Sequence, residues 1–465
     1  MVLTAWEAPA TNSDEAITGL VALHIARGEA APAYFYGQDY MGALEAYLAA
    51  PLFAAFGPGV AALRVPLLLV YALFLLAMFF VARRLYSPGV AAATVVVLSF
   101  GADRVLKSEL IAGGGYPEIT LFAAVLFLLA GRRSIPAAAG FGLVAGLSVW
   151  SDPLVLPYVG AAGLVMLAVI WRSPVRLLAL GAGLLAGAAP MIAANLGDTD
   201  TLAVVLTMSG EGGPLPDRLH SAIVVGIPLA TGLCDPGRCA PEVLWWGPVY
   251  LGLLVASAWL AVRSARADRV RGLLRAALVV AAVLTVLAYA RSAAAAAEPL
   301  SNARYLHCLL VSTPAVLWPL ACALRRGWAV RLPAVALALA MTVAMASATV
   351  SGARFVSGER AVVAVRADLV AALDARGIDR VHSEYWTCHW LTFATAERIQ
   401  CAVVGDELGD GSDRHPRWRR SVEADPAAPY LMPVGHPLDR RLAGALGAGW
   451  TVDDSIPGFR LYTPA

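Results

Sequence analysis

What most limits this chain is a set of ten long apolar stretches, running roughly over residues 60–82, 88–104, 116–131, 136–151, 153–171, 176–195, 243–262, 273–290, 303–323 and 332–350. A helix needs about 20 mostly apolar residues to cross the hydrocarbon of a bilayer. The shorter stretches reach that length only by taking in their neighbours. The chain is poor in charge: 15% of its residues are charged and 59% hydrophobic, against roughly 25% charged in a soluble domain. One globular core cannot bury so much apolar surface, so lipid has to cover the rest. The expected fold is an all-α polytopic membrane bundle of about ten spans. A net charge of +2 gives no basic field for nucleic acid; membrane lipid is the expected partner and nucleic acid is not.

Arginine orients the bundle. Arg83 and Arg84 follow the first stretch, Arg132 and Arg133 the third, and Arg172 and Arg176 lie between the fifth and sixth. Arg263, Arg266, Arg269, Arg271 and Arg275 cluster after the seventh, and Arg325, Arg326 and Arg331 separate the last two. With ten spans every cluster falls on one side, and the positive-inside rule makes that side cytoplasmic. The expected location is a plasma (inner) membrane. Residues 1–58, the loops near 105–115, 196–242 and 291–302, the turn Ser151-Asp152-Pro153 and the tail then face outward. An outward N-terminal segment with no span before it predicts a further transmembrane helix upstream.

Three regions follow: residues 1–58, an external loop carrying a candidate catalytic acid; residues 59–351, the bundle; and residues 352–465, a small α/β extracytoplasmic domain. In the first, 13–28 and 40–56 show helical spacing of apolar residues, with Asn12 or Ser13 as cap. Both are expected to lie in the interface on one apolar face. In the tail, 359–376 and 437–447 read as helices, and 381–386, 430–432 and 458–462 as strands. Cys234 and Cys239 flank a turn sequence on the outward side, where disulfides persist; Cys388 and Cys401 are a second candidate pair. Cys308 and Cys322 fall within a span and read as packing residues.

Carboxylates near a bilayer are costly unless they are paired or do chemistry. Those expected on the outer side are Asp14 and Glu15 at a helix start, Glu109 and Glu118 around Gly113-Gly114-Gly115-Tyr116-Pro117, and Asp152 at the mouth of two spans. Each has a plain structural alternative: Asp14 as a helix N-terminal acid, Asp152 as a cap, and Glu109 and Glu118 as partners of Lys107 or Arg104. Arg291 and Arg304 run against the positive-inside trend. Aromatic residues at 34–40, with Tyr36, Gln38 and Tyr40 among them, suit either an interfacial belt or a sugar-stacking surface. Tyr116 and Trp386 are further pocket candidates.

The run Asn12-Ser13-Asp14-Glu15-Ala16, with Gly28, Tyr36-Gly37-Gln38, Tyr40-Met41-Gly42 and Leu63-Arg64-Val65-Pro66, resembles the first external loop of the C-type superfamily of glycosyltransferases. It is most similar to the branch holding protein O-mannosyltransferases and lipid A aminoarabinose transferases (glycosyltransferase family 39-like). Arg304-Tyr305-Leu306 resembles the Arg-Tyr-Leu that opens a late span there, and Glu384-Tyr385-Trp386 with Phe393 and Glu397-Arg398-Ile399 resembles a bacterial tail. The resemblance implies sugar transfer from a polyprenyl-phosphate donor to a glycan, lipid or protein acceptor. It implies Asp14 as general base with Glu15 beside it, and Arg304 with Tyr305 at the donor phosphate.

The chemistry agrees with those residue types. An acceptor hydroxyl needs a carboxylate within hydrogen-bond reach, and a guanidinium fork matches phosphate oxygens. An inverting displacement needs one base and no covalent intermediate. A divalent ion beside Asp14 and Glu15 is compatible with the pair, but no Cys/His spacing offers a dedicated ligand set, and no cofactor is expected. The alternatives are a transporter or flippase of a lipid-linked saccharide, marked by broken helices and repeats, and a catalytically inactive membrane receptor.

Overall fold

The computed structural model describes residues 7–465 apart from 198, 202, 204–212, 237–238, 240–242, 355 and 448. Among the described residues six helical segments are long and apolar enough to cross a membrane: Val60–Leu85, Pro153–Ile170, Trp246–Ser264, Arg269–Arg291, Pro299–Ala323 and Trp328–Ala375. Two bent pairs bring the number to eight if each is one span: Pro88–Leu98 with Asp103–Leu110, bent by 89°, and Pro174–Gly187 with Ala189–Asn195, bent by 62°. The stretches expected to cross at 116–131 and 136–151 are helices of 14 and 17 residues. Six to eight spans therefore pass on length where the sequence suggested about ten. Leu164, Leu178 and Val255 turn 70%, 73% and 70% of their surface outward, as lipid-facing residues do. The chain is a multi-pass membrane protein.

Helix contacts in lipid depend on close approach, because apolar burial alone does not distinguish a neighbour from a lipid tail. Ile135–Ser151 and Pro174–Gly187 show the device. Gly142 and Gly146 on one face Gly183 and Gly187 on the other, and a Cβ at any of them would run into the partner's backbone at Leu180, Leu184, Ala139 or Leu143.

The N-terminal region corrects the sequence reading. Helix Ser13–Ala26 is capped by Asn12, whose side chain accepts from the Glu15 N–H at 2.8 Å. Instead of lying flat on lipid it is buried nearly all round, from Ser13 to His24, between helix Leu44–Phe56 and helix Tyr385–Ala394 of the tail. Residues 40–42, expected to be helical, belong to a hairpin of β1 (Tyr34–Phe35) and β2 (Gln38–Gly42).

The tail carries a five-stranded sheet of β3 (Arg380–Ser383), β4 (Gln400–Val403), β5 (Tyr430–Pro433), β6 (Trp450–Asp453) and β7 (Phe459–Pro464), in the order β4-β3-β5-β7-β6. β3 runs parallel to β4 and β5, and β7 antiparallel to β5 and β6. The strand expected through Trp386 stops at Ser383, because the Glu384 carboxylate accepts the Trp386 N–H at 2.6 Å and starts a helix there. Ile17, Leu20 and Val21 share one core with Leu369, Leu391, Trp418 and Leu461, so the first and third regions are one packed layer. Disulfides join Cys234 to Cys239 and Cys388 to Cys401, while Cys308 and Cys322 are free.

Candidate active site

Where the packed layer meets the bundle there is a cavity of about 700 Å³. Its polar lining includes Asp14, Gln38, Tyr40, Tyr116, Asp152, Arg304 and Tyr305. Its apolar lining includes Leu154, Leu156, Pro157, Leu284 and Ala288. Leu156 and Leu284 are 47% and 45% exposed, so this lining is continuous with the lipid-facing surface.

Asp14 reaches the cavity from the first turn of Ser13–Ala26. The Tyr385 hydroxyl donates to its Oδ1 at 2.9 Å. Arg414 in turn donates to the Tyr385 oxygen from Nε at 3.0 Å and from Nη2 at 2.9 Å. With two donors on its oxygen, the phenol has its one proton left to give to Asp14. Burial, and then the Asp14 charge, hold the Tyr385 pKa above its ordinary value. Oδ2 of Asp14 has no hydrogen-bond partner among the described residues. The glycine loop packs on the backbone that carries Asp14: Gly113, Gly114 and Gly115 have φ of 149°, 146° and 67°, a region L side chains rarely enter. A Cβ at Gly113 would press on the Asp14 backbone at 3.2 Å.

Arg304 lines the same cavity, within electrostatic reach of Asp14, and its guanidinium lies 5.4 Å from the Tyr305 ring. Asp152 accepts the Leu154 N–H at 2.7 Å, so it is both the cap and a cavity residue. Burial pushes its pKa up to about 7, the Leu154 N–H opposing. Tyr40 is pushed up to about 12, by burial and then by Tyr305.

The remaining candidates lie elsewhere. Glu15 points away from the cavity, into a fully buried ion pair. Arg64 donates to it from Nε at 2.6 Å and from Nη2 at 2.5 Å, and both side chains are 0% exposed. Neighbours on a helix do not share a face, so Asp14 and Glu15 divide the two roles. Glu109 accepts or shares a hydrogen bond with His307 at 2.7 Å, while Lys107 pairs with Asp103 at 3.0 Å; the expected Glu109 partners are wrong. Glu118 is buried against Glu45, behind the glycine loop. Tyr36 bonds His24 at 2.8 Å. Trp386, 56% exposed, borders a separate groove with Arg366, Trp390 and Phe459.

Near Tyr36, among the described residues, His24, Glu29 and Glu397 hold ligand atoms within 4.8 Å of one another. Arg27 and Arg417 already engage both carboxylates, at 2.9 Å to Glu397 and 3.1 Å to Glu29, and two guanidiniums beside the cluster disfavour a cation. Although burial opposes it, hydrogen bonds from His24 and Trp418 hold Glu397 down at about 2.

The sequence matches no family model, and no curated protein matches it. Solved structures do. ArnT from Cupriavidus metallidurans bound to undecaprenyl phosphate superposes with a TM-score of 0.59 at 14% identity, over 97% of this chain and 93% of that one. An oligosaccharyltransferase from Archaeoglobus fulgidus superposes with a TM-score of 0.50 at 13% identity, over 91% of this chain and 64% of that one. The fold is that of the C-type glycosyltransferases. Within this C-type fold, Tyr385 and Arg414 are the site residues that sequence reasoning did not single out. Arg414 sits in a polar run with no period. Tyr385 was visible only as part of the tail motif beside Trp386.

Proposed function

We propose that the chain is an integral-membrane glycosyltransferase that moves a sugar from a polyprenyl-phosphate donor to an acceptor on the extracytoplasmic side, with inversion. The observation that carries this reading is the mixed lining of the cavity: Asp14 and Arg304 both line it, within electrostatic reach of each other, and its apolar residues Leu156 and Leu284 are also exposed on the outer surface. An isoprenoid phosphate has the same polarity, a charged head on an apolar tail. The acceptor hydroxyl gives its proton to Asp14 as its oxygen attacks the anomeric carbon. The bond from that carbon to the phosphate oxygen breaks, and the electron pair leaves with the lipid phosphate. Arg304 holds the phosphate with Tyr305, and Tyr385 with Arg414 aims the base. The C-type fold supports the same reading, as does the undecaprenyl phosphate bound to ArnT. The acceptor class stays open between protein, lipid and glycan.

The test is transfer from radiolabelled undecaprenyl-phosphate sugars by membranes holding matched amounts of wild type and Asp14→Asn. Labelled product from wild type that collapses in the variant supports the assignment. Equal product from both removes Asp14 from catalysis. A second reading, movement of a lipid-linked saccharide without bond change, draws on the two bent helix pairs, since broken helices mark transporters. It predicts that label crosses the bilayer still attached to its lipid.

A further inference from the structure

Arg104 has no role in the sequence reading beyond a failed pairing with Glu109. It stands in the first turn after the 89° bend, within electrostatic reach of the cavity residues Arg304, Tyr116 and Tyr289. Its Nη2 donates to the Leu300 carbonyl at 2.9 Å, four residues before Arg304 on the same segment. The two guanidiniums are close enough to repel each other. Neither has a carboxylate within ion-pair distance among the described residues, because the nearby Asp103 is taken by Lys107. Arg104 Nε, Arg304 Nε and the Tyr289 hydroxyl are all buried, and none has a hydrogen-bond partner among the described residues. Tyr289 lines the cavity and lies within electrostatic reach of Arg104 and Tyr305.

Three buried donors without acceptors, two of them cationic and repelling, are costly in an empty protein. An anion placed among them removes both costs. One arginine is enough for a phosphodiester, which carries a single charge. Transfer changes that: when the sugar–oxygen bond breaks, the lipid phosphate goes from monoanion to dianion. We propose that Arg104 is a second phosphate ligand, and that it answers to the charge that appears on the leaving phosphate. The proposal rests on the glycosyltransferase reading for its chemistry, but not for its anion site.

The test uses purified full-length protein in nanodiscs and three probes: undecaprenyl phosphate, its methyl phosphodiester and undecaprenol. At pH 8 the monoester is largely dianionic, its second pKa being roughly 6. Wild type is expected to bind the monoester at least tenfold more tightly than the diester, and equal affinities overturn the proposal without any variant. Arg104→Gln is expected to lose that preference while keeping its affinity for undecaprenol; a preference left intact overturns the proposal. Arg104→Lys, which keeps the charge and loses the fork, is expected to fall between. In the transfer assay, loss of one donor to a developing anion costs roughly 10²–10³ in kcat, so Arg104→Gln is expected to lower kcat and spare KM for the donor. A fall confined to KM overturns the leaving-group role. If wild type transfers no sugar yet binds the dianion through Arg104, the glycosyltransferase reading fails and the anion site stands.

Discussion

Glu15 and Asp14 are adjacent in sequence and both are acids, yet the structure gives them opposite consequences. Glu15 and Arg64 are both fully buried and joined by two hydrogen bonds of 2.5 and 2.6 Å. Among the described residues Arg64 Nη1 has no partner, and Nη2 otherwise meets only the Pro9 carbonyl at 2.8 Å. Glu15→Gln therefore strands a guanidinium in the core. Breaking a buried pair from one side costs about 3–5 kcal/mol, which lowers the folded-to-unfolded ratio by roughly a hundredfold or more at about 1.4 kcal/mol per tenfold. Glu407→Gln is the control. Its partner is Arg441 at 3.0 Å, but Glu407 is 90% exposed, and exposed pairs contribute about 0–1 kcal/mol. The assay is the fraction of detergent-solubilised protein that stays monodisperse after heating. Glu15→Gln is expected to fall well below wild type, Glu407→Gln and Asp14→Asn to match it, and Glu15→Met with Arg64→Met to recover most of the loss. If Glu15→Gln is as heat-stable as wild type but cannot transfer sugar, the structural assignment is wrong and Glu15 belongs to the chemistry.

Three other outcomes are expected. Asp152, with its pKa raised to about 7 by burial, is mostly neutral below that pH and adds negative charge to the cavity above it. The donor KM should rise as pH passes through 7, and Asp152→Asn should flatten the profile; an unchanged profile in the variant would remove Asp152 from it. Tyr385→Phe deletes the one hydrogen bond that the Asp14 carboxylate makes among the described residues. Bonds to charged groups contribute about 1.5–3 kcal/mol, so kcat should drop about tenfold to a hundredfold with the protein still folded, and a wild-type kcat would show that Asp14 needs no aiming. Gly142→Leu inserts a side chain where the Leu180 carbonyl lies against the glycine. The two helices must separate, so yield and heat resistance should both fall, whereas the same change at Gly160, with open space around it, should be silent.

The parts legible in the sequence are those written as runs. Long apolar stretches gave the bundle, and Leu-Arg-Val-Pro marked the start of Val60–Leu85. Six to eight of the roughly ten expected spans pass on length among the described residues, because an apolar run does not tell a full-length helix from a 14-residue one ending at Leu129. In the tail, a strand-like Val-His-Ser-Glu-Tyr-Trp hid a helix, since only the Glu384 side chain, capping its first turn, distinguishes the two. The site was half legible. Asp14, Arg304, Tyr40, Tyr116 and Asp152 do meet at one cavity. Glu15 could have been set aside from helix geometry alone. Tyr385 could not have been found that way, because it meets Asp14 across 371 residues of chain.

That separation also sets when the site can exist. In a protein made from its N-terminus Asp14 emerges early, but the hydroxyl that bonds it and the guanidinium that bonds the hydroxyl arrive with residues 385 and 414, after every long apolar helix. Until the last sheet folds, helix Ser13–Ala26 lacks one wall of its burial and its aspartate lacks a partner. A half-inserted chain thus carries the acid without the hydrogen bond that orients it.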